Sequence, residues 1–422
     1  MAALRRALLA AFVLGLGFSI TLSEASLALL ALLWLWRCRD AQYRRAAQWP
    51  LAAPLLGWGM VTIASALLSE SPWTSLLASK DLVLIFALYV TADALPGARA
   101  ADRFLSMLAL VAAGAAAMGL AQVGFCPEPS PTHGLARWFF HRCDRAHAGF
   151  SIYMTLAGVL NLVLLATLPR LLPGANFRRW SVPVWLITLG GLAATLTRGA
   201  WMGFAAGVLG VLPATRKGRW LLIGGLFVLA LAALAGPAHL RQRFLSMSDP
   251  DDPTLRQREY MWRSGFTMWR QHPWFGWGPG GVKREYPRFA LPEAGKKRTG
   301  HVHNTPLQIL VERGLVGLGA WVSIWVALYA RGIALLRRVA AEGMREWALV
   351  MGSLASLTGF LVNGLSEYNF GDSEVALVAW VMAALPFVVE RELSAREESL
   401  RTRGSSKAGS SPASRGHPLV PQ

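Results

Sequence analysis

The sequence predicts an all-α, polytopic transmembrane helical bundle of about twelve spans, with one large, partly helical outer loop. Three observations predict it. Of 422 residues, 54% are apolar and only 16% charged, where a soluble protein carries nearer a quarter charged residues. Apolar runs long enough to cross a bilayer recur along the whole chain, and the mean hydropathy is +0.38. Lys and Arg sort to one side of those runs, as the positive-inside pattern requires.

The runs fall at 7–20, 22–36, 51–69, 77–95, 103–124, 148–168, 181–197, 199–213, 220–237, 306–330, 347–364 and 373–390. The first resembles a signal peptide. It lacks a small-x-small cleavage site and is followed by further spans, so it reads as the first span, with the turn SEAS (23–26) near an interface. With the N-terminus inside, WRCRDAQYRR (36–45), PRLLPGANFRR (169–179), TRKGR (215–219) and LLRR (335–338) are cytoplasmic. So is the tail, which carries Arg396, Arg401 and Arg403, and both termini then lie in the cytoplasm. Residues 1–395 form a single integral membrane domain, and the Ser/Gly/Pro-rich end within 396–422 reads as a disordered cytoplasmic tail. The net charge of +18 is a loop property here and no sign of a nucleic-acid partner.

Two loops fall outside, 125–147 and 238–305. The larger holds twelve Lys or Arg against six Asp or Glu, an excess that long loops are allowed. Residues 255–271 read as an amphipathic interface helix with Trp262, Phe266 and Trp269 on its apolar side. The Gly- and Pro-rich stretch that follows, with Gly276, Gly278, Gly280 and Gly281, forces irregular backbone. In the smaller loop Arg137, Arg142, Arg145 and His147 are basic. Cys126 and Cys143 fall at a spacing that permits a disulfide in an oxidising compartment.

Candidate chemistry centres on a few side chains. Arg198 in LTRGAW (196–201) lies where one span ends and the next begins. It is either a snorkelling arginine or a clamp on an anionic headgroup, for which the guanidinium fork is suited. His303, with His301 two residues before it, precedes the span beginning at Pro306. It is either a hydrogen-bonded joint or a general base, and the nearby cations Arg288 and Lys296–Lys297–Arg298 weigh toward function. Neither His303 nor DPDD (249–252) sits in a metal-ligand pattern, so no metal is expected. Lys80 adds to the cation set or anchors an interface. Glu367, Asp372 and Glu374 in the last outer turn hold arginines or solvate the turn. A sugar on a lipid diphosphate would suit these residues. The arginines would stabilise the departing diphosphate without a metal, and a base on the other face of the sugar would give inversion.

The motifs TRGAW (197–201), Arg258-x-x-x-Trp262, HPWFGWGPGGV (272–282) and HVHNTPLQILVERGLVGL (301–318) occur in an order that resembles the O-antigen ligases and their wider group with O-antigen polymerases. The resemblance implies a GT-C-like glycosyltransferase of the bacterial inner membrane with its site facing the periplasm. It would move polysaccharide from undecaprenyl diphosphate to lipid A–core oligosaccharide, with no metal, nucleotide or other cofactor. By that likeness His303 is the base, Arg198 contacts the donor diphosphate and Arg288 is an essential loop arginine. Arg258, at the R-x-x-x-W position, would support the loop or contact substrate, and it joins Lys80, Arg142, Arg145, His301 and Asn304 as candidates for substrate binding. RAHAGFSIY (145–153) departs from the usual pattern before span six, which leaves the role of Arg145 open. A polymerase, with a second lipid-linked glycan as acceptor, shares the same basic outer site. A flippase for an anionic lipid would need charged groups in mid-span, and most spans here are clean.

Overall fold

The computed structural model describes residues 2–127, 134–140, 143–172, 178–211, 219, 252–340 and 342–408. Among them the secondary structure is helical throughout. Six helices are long and apolar enough to cross a membrane: Ile20–Arg37, Pro72–Ala94, Ala98–Gly124, Tyr153–Leu171, Thr305–Val339 and Ser373–Thr402. The expected number of spans was about twice that, and the difference lies in length and polarity. The segments expected at 7–20, 51–69 and 181–197 are helices of 17, 16 and 14 residues, and the one expected at 199–213 is helical over Arg198–Val211, where the described residues stop. Met344–Asn363 is long enough but is less apolar. The segment 220–237 lies outside the described residues.

SEAS is not a turn. The chain reverses at Ser19, which caps the Ile20–Arg37 helix, and Ser23 and Ser26 are buried within that helix. Ser23 donates its hydroxyl to the Ser19 carbonyl (3.2 Å), so its polar group is satisfied inside its own helix.

Small residues let the central helices approach closely. Gly199, Gly203 and Gly207 recur every four residues on the Arg198–Val211 helix and form one stripe. A Cβ at Gly203 would lie 2.4 Å from the Gly359 carbonyl oxygen, and one at Gly207 would lie 2.8 Å from that of Ala355. The stripe thus fixes Arg198–Val211 against Met344–Asn363. A Cβ at Gly199 would meet Ser366 Oγ at 2.2 Å, which puts the residue after Arg198 against the turn that closes that second helix.

The last helix runs to Ala408, beyond the expected boundary at 395. Charged pairs support the extension: Arg396 with Glu392 one turn away, and Arg338 with Glu397 across helices. Residues 409–422 lie outside the described residues.

The helix expected at 255–271 spans Pro253–Gln271, with Asp252 capping it through Thr254 N and Leu255 N. Its buried face differs from the expected one. Met261, Ser264, Gly265 and Met268 are buried, whereas Phe266 is half-exposed. Trp262 and Trp269 flank this stripe and donate their indole N–H groups to the Val302 and Pro273 carbonyls (3.0 and 3.2 Å). The small Ser264 and Gly265 allow close packing, and the rings find polar partners beside them.

Cys126 and Cys143 are joined in a disulfide, their Cα atoms 5.6 Å apart. Breaking the bond removes a cross-link on a loop of moderate length. The Cys126→Ser, Cys143→Ser double variant is expected to lose about 3 kcal/mol of stability. Thermal melts with and without a reductant check this, since the wild type should fall to the variant's midpoint when reduced.

Candidate functional site

The site is built on a broken helix. Within Thr305–Val339, Gly314 adopts φ 66° and ψ −168°, which interrupts the helical hydrogen bonds. The interrupted groups are taken up by the Gly/Pro-rich stretch 272–281. Trp277 N and Gly278 N donate to the Val311 and Glu312 carbonyls (3.0 and 2.9 Å), and Leu315 N and Val316 N donate to the Pro273 and Trp274 carbonyls (2.8 and 3.2 Å). Ser65 Oγ reaches the carbonyls of both Phe275 (2.6 Å) and Glu312 (2.8 Å). The irregular backbone expected from the glycines and prolines is therefore a splint, and it steadies the first turns after His303.

His303 sits at the mouth of this helix. Asn304 caps it, accepting from Leu307 N at 2.8 Å while its amide donates to the Leu365 carbonyl at 2.9 Å. Thr305 N donates to Gly364 O (2.7 Å), and Thr305 Oγ1 donates to the Glu367 carbonyl (2.9 Å). The 364–367 turn is thereby stitched to 303–305. His303 holds a left-handed backbone, φ 49°, which is uncommon for a residue with a side chain. Its Nδ1 lies 2.9 Å from Glu367 Oε2, and Arg258 Nη2 donates to the other oxygen of that carboxylate. His301 packs edge-on against His303, ring centroids 4.2 Å apart, and its Nδ1 has no hydrogen-bond partner. Burial, and then the neighbouring His303, pushes the His301 imidazole down to about 4. His301 is thus a neutral wall of the site at neutral pH.

Arg198 is buried at the start of its helix. Nη1 and Nη2 donate to Asp252 Oδ2 and Oδ1 (3.0 and 3.1 Å) as a two-pronged pair. The hydrogen bond from Arg198 holds the Asp252 carboxyl down at about 2. Asp252 and Arg258 lie six residues apart on one element, about 9 Å along a helix. One helix therefore joins Arg198 at its start to the Arg258–Glu367–His303 cluster further on.

The other expected residues are placed differently. Arg288 is exposed and pairs with Glu285 (2.6 Å) and, more loosely, Glu70 (3.9 Å). Lys80 is exposed on a short 3-10 helix, Ser79–Ile85. Arg145 lies over the Tyr153 ring (4.4 Å) beside Asp144. His147 is buried, its Nδ1 3.3 Å from the Phe150 carbonyl. The side chain of Asn304 is committed to its cap. Arg142 lies outside the described residues. The structure also directs Arg284 inward: it donates to Ser75 Oγ (2.9 Å) and to the Trp277 and Pro279 carbonyls (both 3.2 Å). Nothing in the sequence distinguished Arg284 from the cations around it. Among the described residues no group of three His, Cys, Asp or Glu side chains is arranged to hold a metal ion.

No curated protein sequence matches this chain. A family model described as Wzy_C, O-antigen ligase, matches residues 183–322, the stretch that holds Arg198, Arg258, Arg288 and His303, and it supports the O-antigen ligase family for this membrane protein.

Proposed function

We propose that the protein is an O-antigen ligase of the bacterial inner membrane, transferring polysaccharide from undecaprenyl diphosphate to lipid A–core oligosaccharide at the periplasmic face. His303 is the base and Arg198 binds the donor diphosphate. This reading rests on one observation above the rest: within the matched stretch, a solvent-reaching histidine and a buried arginine are tied to the same outer helix. His303 takes the proton of the acceptor hydroxyl as its oxygen attacks the anomeric carbon of the donor sugar. The bond from that carbon to the diphosphate oxygen breaks, and the diphosphate leaves with the electron pair. Attack opposite the leaving group inverts the anomeric centre. The cation beside the departing oxygen lowers the barrier, because negative charge grows there.

In the structure Asp252 occupies the Arg198 fork, and the diphosphate oxygens would replace its carboxylate, anion for anion. Asp252→Asn keeps a good helix cap while removing the competing charge. The expected result is a donor KM several-fold lower with the fold intact. Steady-state transfer kinetics check it, and an unchanged KM would detach Arg198 from the donor.

The function is tested by transfer in vitro with purified protein, lipid-linked glycan and lipid A–core, with EDTA in one arm and the core omitted in another. Product on the core that persists in EDTA supports the ligase. Longer lipid-linked glycan without the core would make the protein a polymerase. Loss of product in EDTA would overturn the metal-independent mechanism.

A further inference from the structure

We infer that Glu367 is the positioning residue that sets which nitrogen of His303 acts as the base. The inference rests on the proposed function and goes beyond it by naming the group behind the base. Glu367 is buried, and each of its oxygens has a separate partner: Arg258 on Oε1 and His303 Nδ1 on Oε2, the latter at 2.9 Å. The Arg258 guanidinium forms an ion pair with this carboxylate. A charged carboxylate only accepts hydrogen bonds. A bare Nδ1 lone pair at that distance would be repelled, so the proton sits on Nδ1 and the lone pair on Nε2. Nε2 is then the atom that receives the acceptor's proton, and Glu367 steadies the imidazolium that results, as the carboxylate does behind the histidine of a serine-protease triad.

The surroundings hold the arrangement. The Glu367 carbonyl accepts from Thr305 Oγ1, so the turn stays attached to the helix mouth without the carboxylate's help. Ionisable groups near the pair include Arg258 from the Pro253–Gln271 helix and His301 from the preceding loop, with Lys296 and Tyr368 beside His301. His301 is kept neutral by burial and cannot share the charge.

Glu367→Gln keeps the shape and removes the charge. With transfer assayed across pH, it should lower kcat by about 100-fold. The acid limb of the profile should move to lower pH, since the imidazolium loses its anionic neighbour. Glu367→Asp should recover part of the rate with the limb in its original place. A purely structural residue would not move that limb, so an unshifted limb in a folded Glu367→Gln protein, or a full rate, overturns the proposal. Spectra of 15N-histidine-labelled wild type, with His303→Asn used for assignment, read the tautomer without depending on the folding of any Glu367 variant. A protonated Nδ1 is expected, and a protonated Nε2 overturns the proposal. A wild type that transfers nothing overturns the function on which the proposal rests, whereas an active wild type with the wrong tautomer overturns only the part assigned to Glu367.

Discussion

His303→Asn should leave a folded protein whose transfer rate is lower by about 100- to 10,000-fold, the usual contribution of a positioned general base. Asparagine is the better probe here because His303 has φ 49°. Asparagine tolerates that backbone, whereas alanine adds about 1 kcal/mol of strain of its own. The amide can still donate to Glu367 Oε2, and Arg258 still holds the other oxygen. The 303–305 joint also keeps its backbone bond from Thr305 to Gly364. What the variant loses is a nitrogen able to take up a proton. Transfer rates read beside melting curves separate the two effects. Full activity in the Asn protein would remove His303 as the base and shift the chemistry to the arginines.

Gly314→Ala is expected to be the most damaging single methyl addition in the described chain. A Cβ there would lie 2.1 Å from both the carbonyl carbon and the oxygen of Trp274, and 2.5 Å from Phe275 N. Those neighbours are backbone, so no side-chain rotation can relieve the clash. The φ and ψ of Gly314 also belong to a region that is essentially glycine's alone. Strain and clash together should cost about 4 kcal/mol or more. The protein would then fail to accumulate, or would melt far below the wild type. Detergent-solubilised yield and a melting curve decide the matter, and a stable Gly314→Ala protein would mean that the helix break is not fixed by the loop. Alanine at Gly319 is the control, because nothing lies within 4 Å of a Cβ built there.

The helices were legible in the sequence because a membrane span is a local property: a run of apolar residues bounded by charge. Their crossing ability was less legible, since a buried helix between other helices is as apolar as one that spans, and Ser181–Ala194 at 14 residues shows how short an apolar helix can be. His303 and Arg198 stood out by residue type and position. Glu367 stood out only as an acid that holds an arginine or solvates a turn, and it does hold Arg258, but its pairing with His303, 64 residues away, and that of Asp252 with Arg198, 54 away, were not legible. Pairing over that distance is decided by packing. The glycine stripe that brings Arg198 to the 364–367 turn can be read as a spacing, but its target cannot. Arg288 and Arg284 are four residues apart on one short helix, and only the fold tells which of them points inward.

The splint at Gly314 has a bearing on how the protein inserts. The stretch 272–281 precedes the helix it completes, so it must lie on the same side as the first turns of Thr305–Val339 for the joint to close. Should that loop stay behind, the interrupted carbonyls and amides of the helix would face hydrocarbon unpaired, at several kcal/mol for each group. A chain in which loop and helix part is thus penalised at the same joint that later carries His303. Seating of the loop and assembly of a competent site become one event.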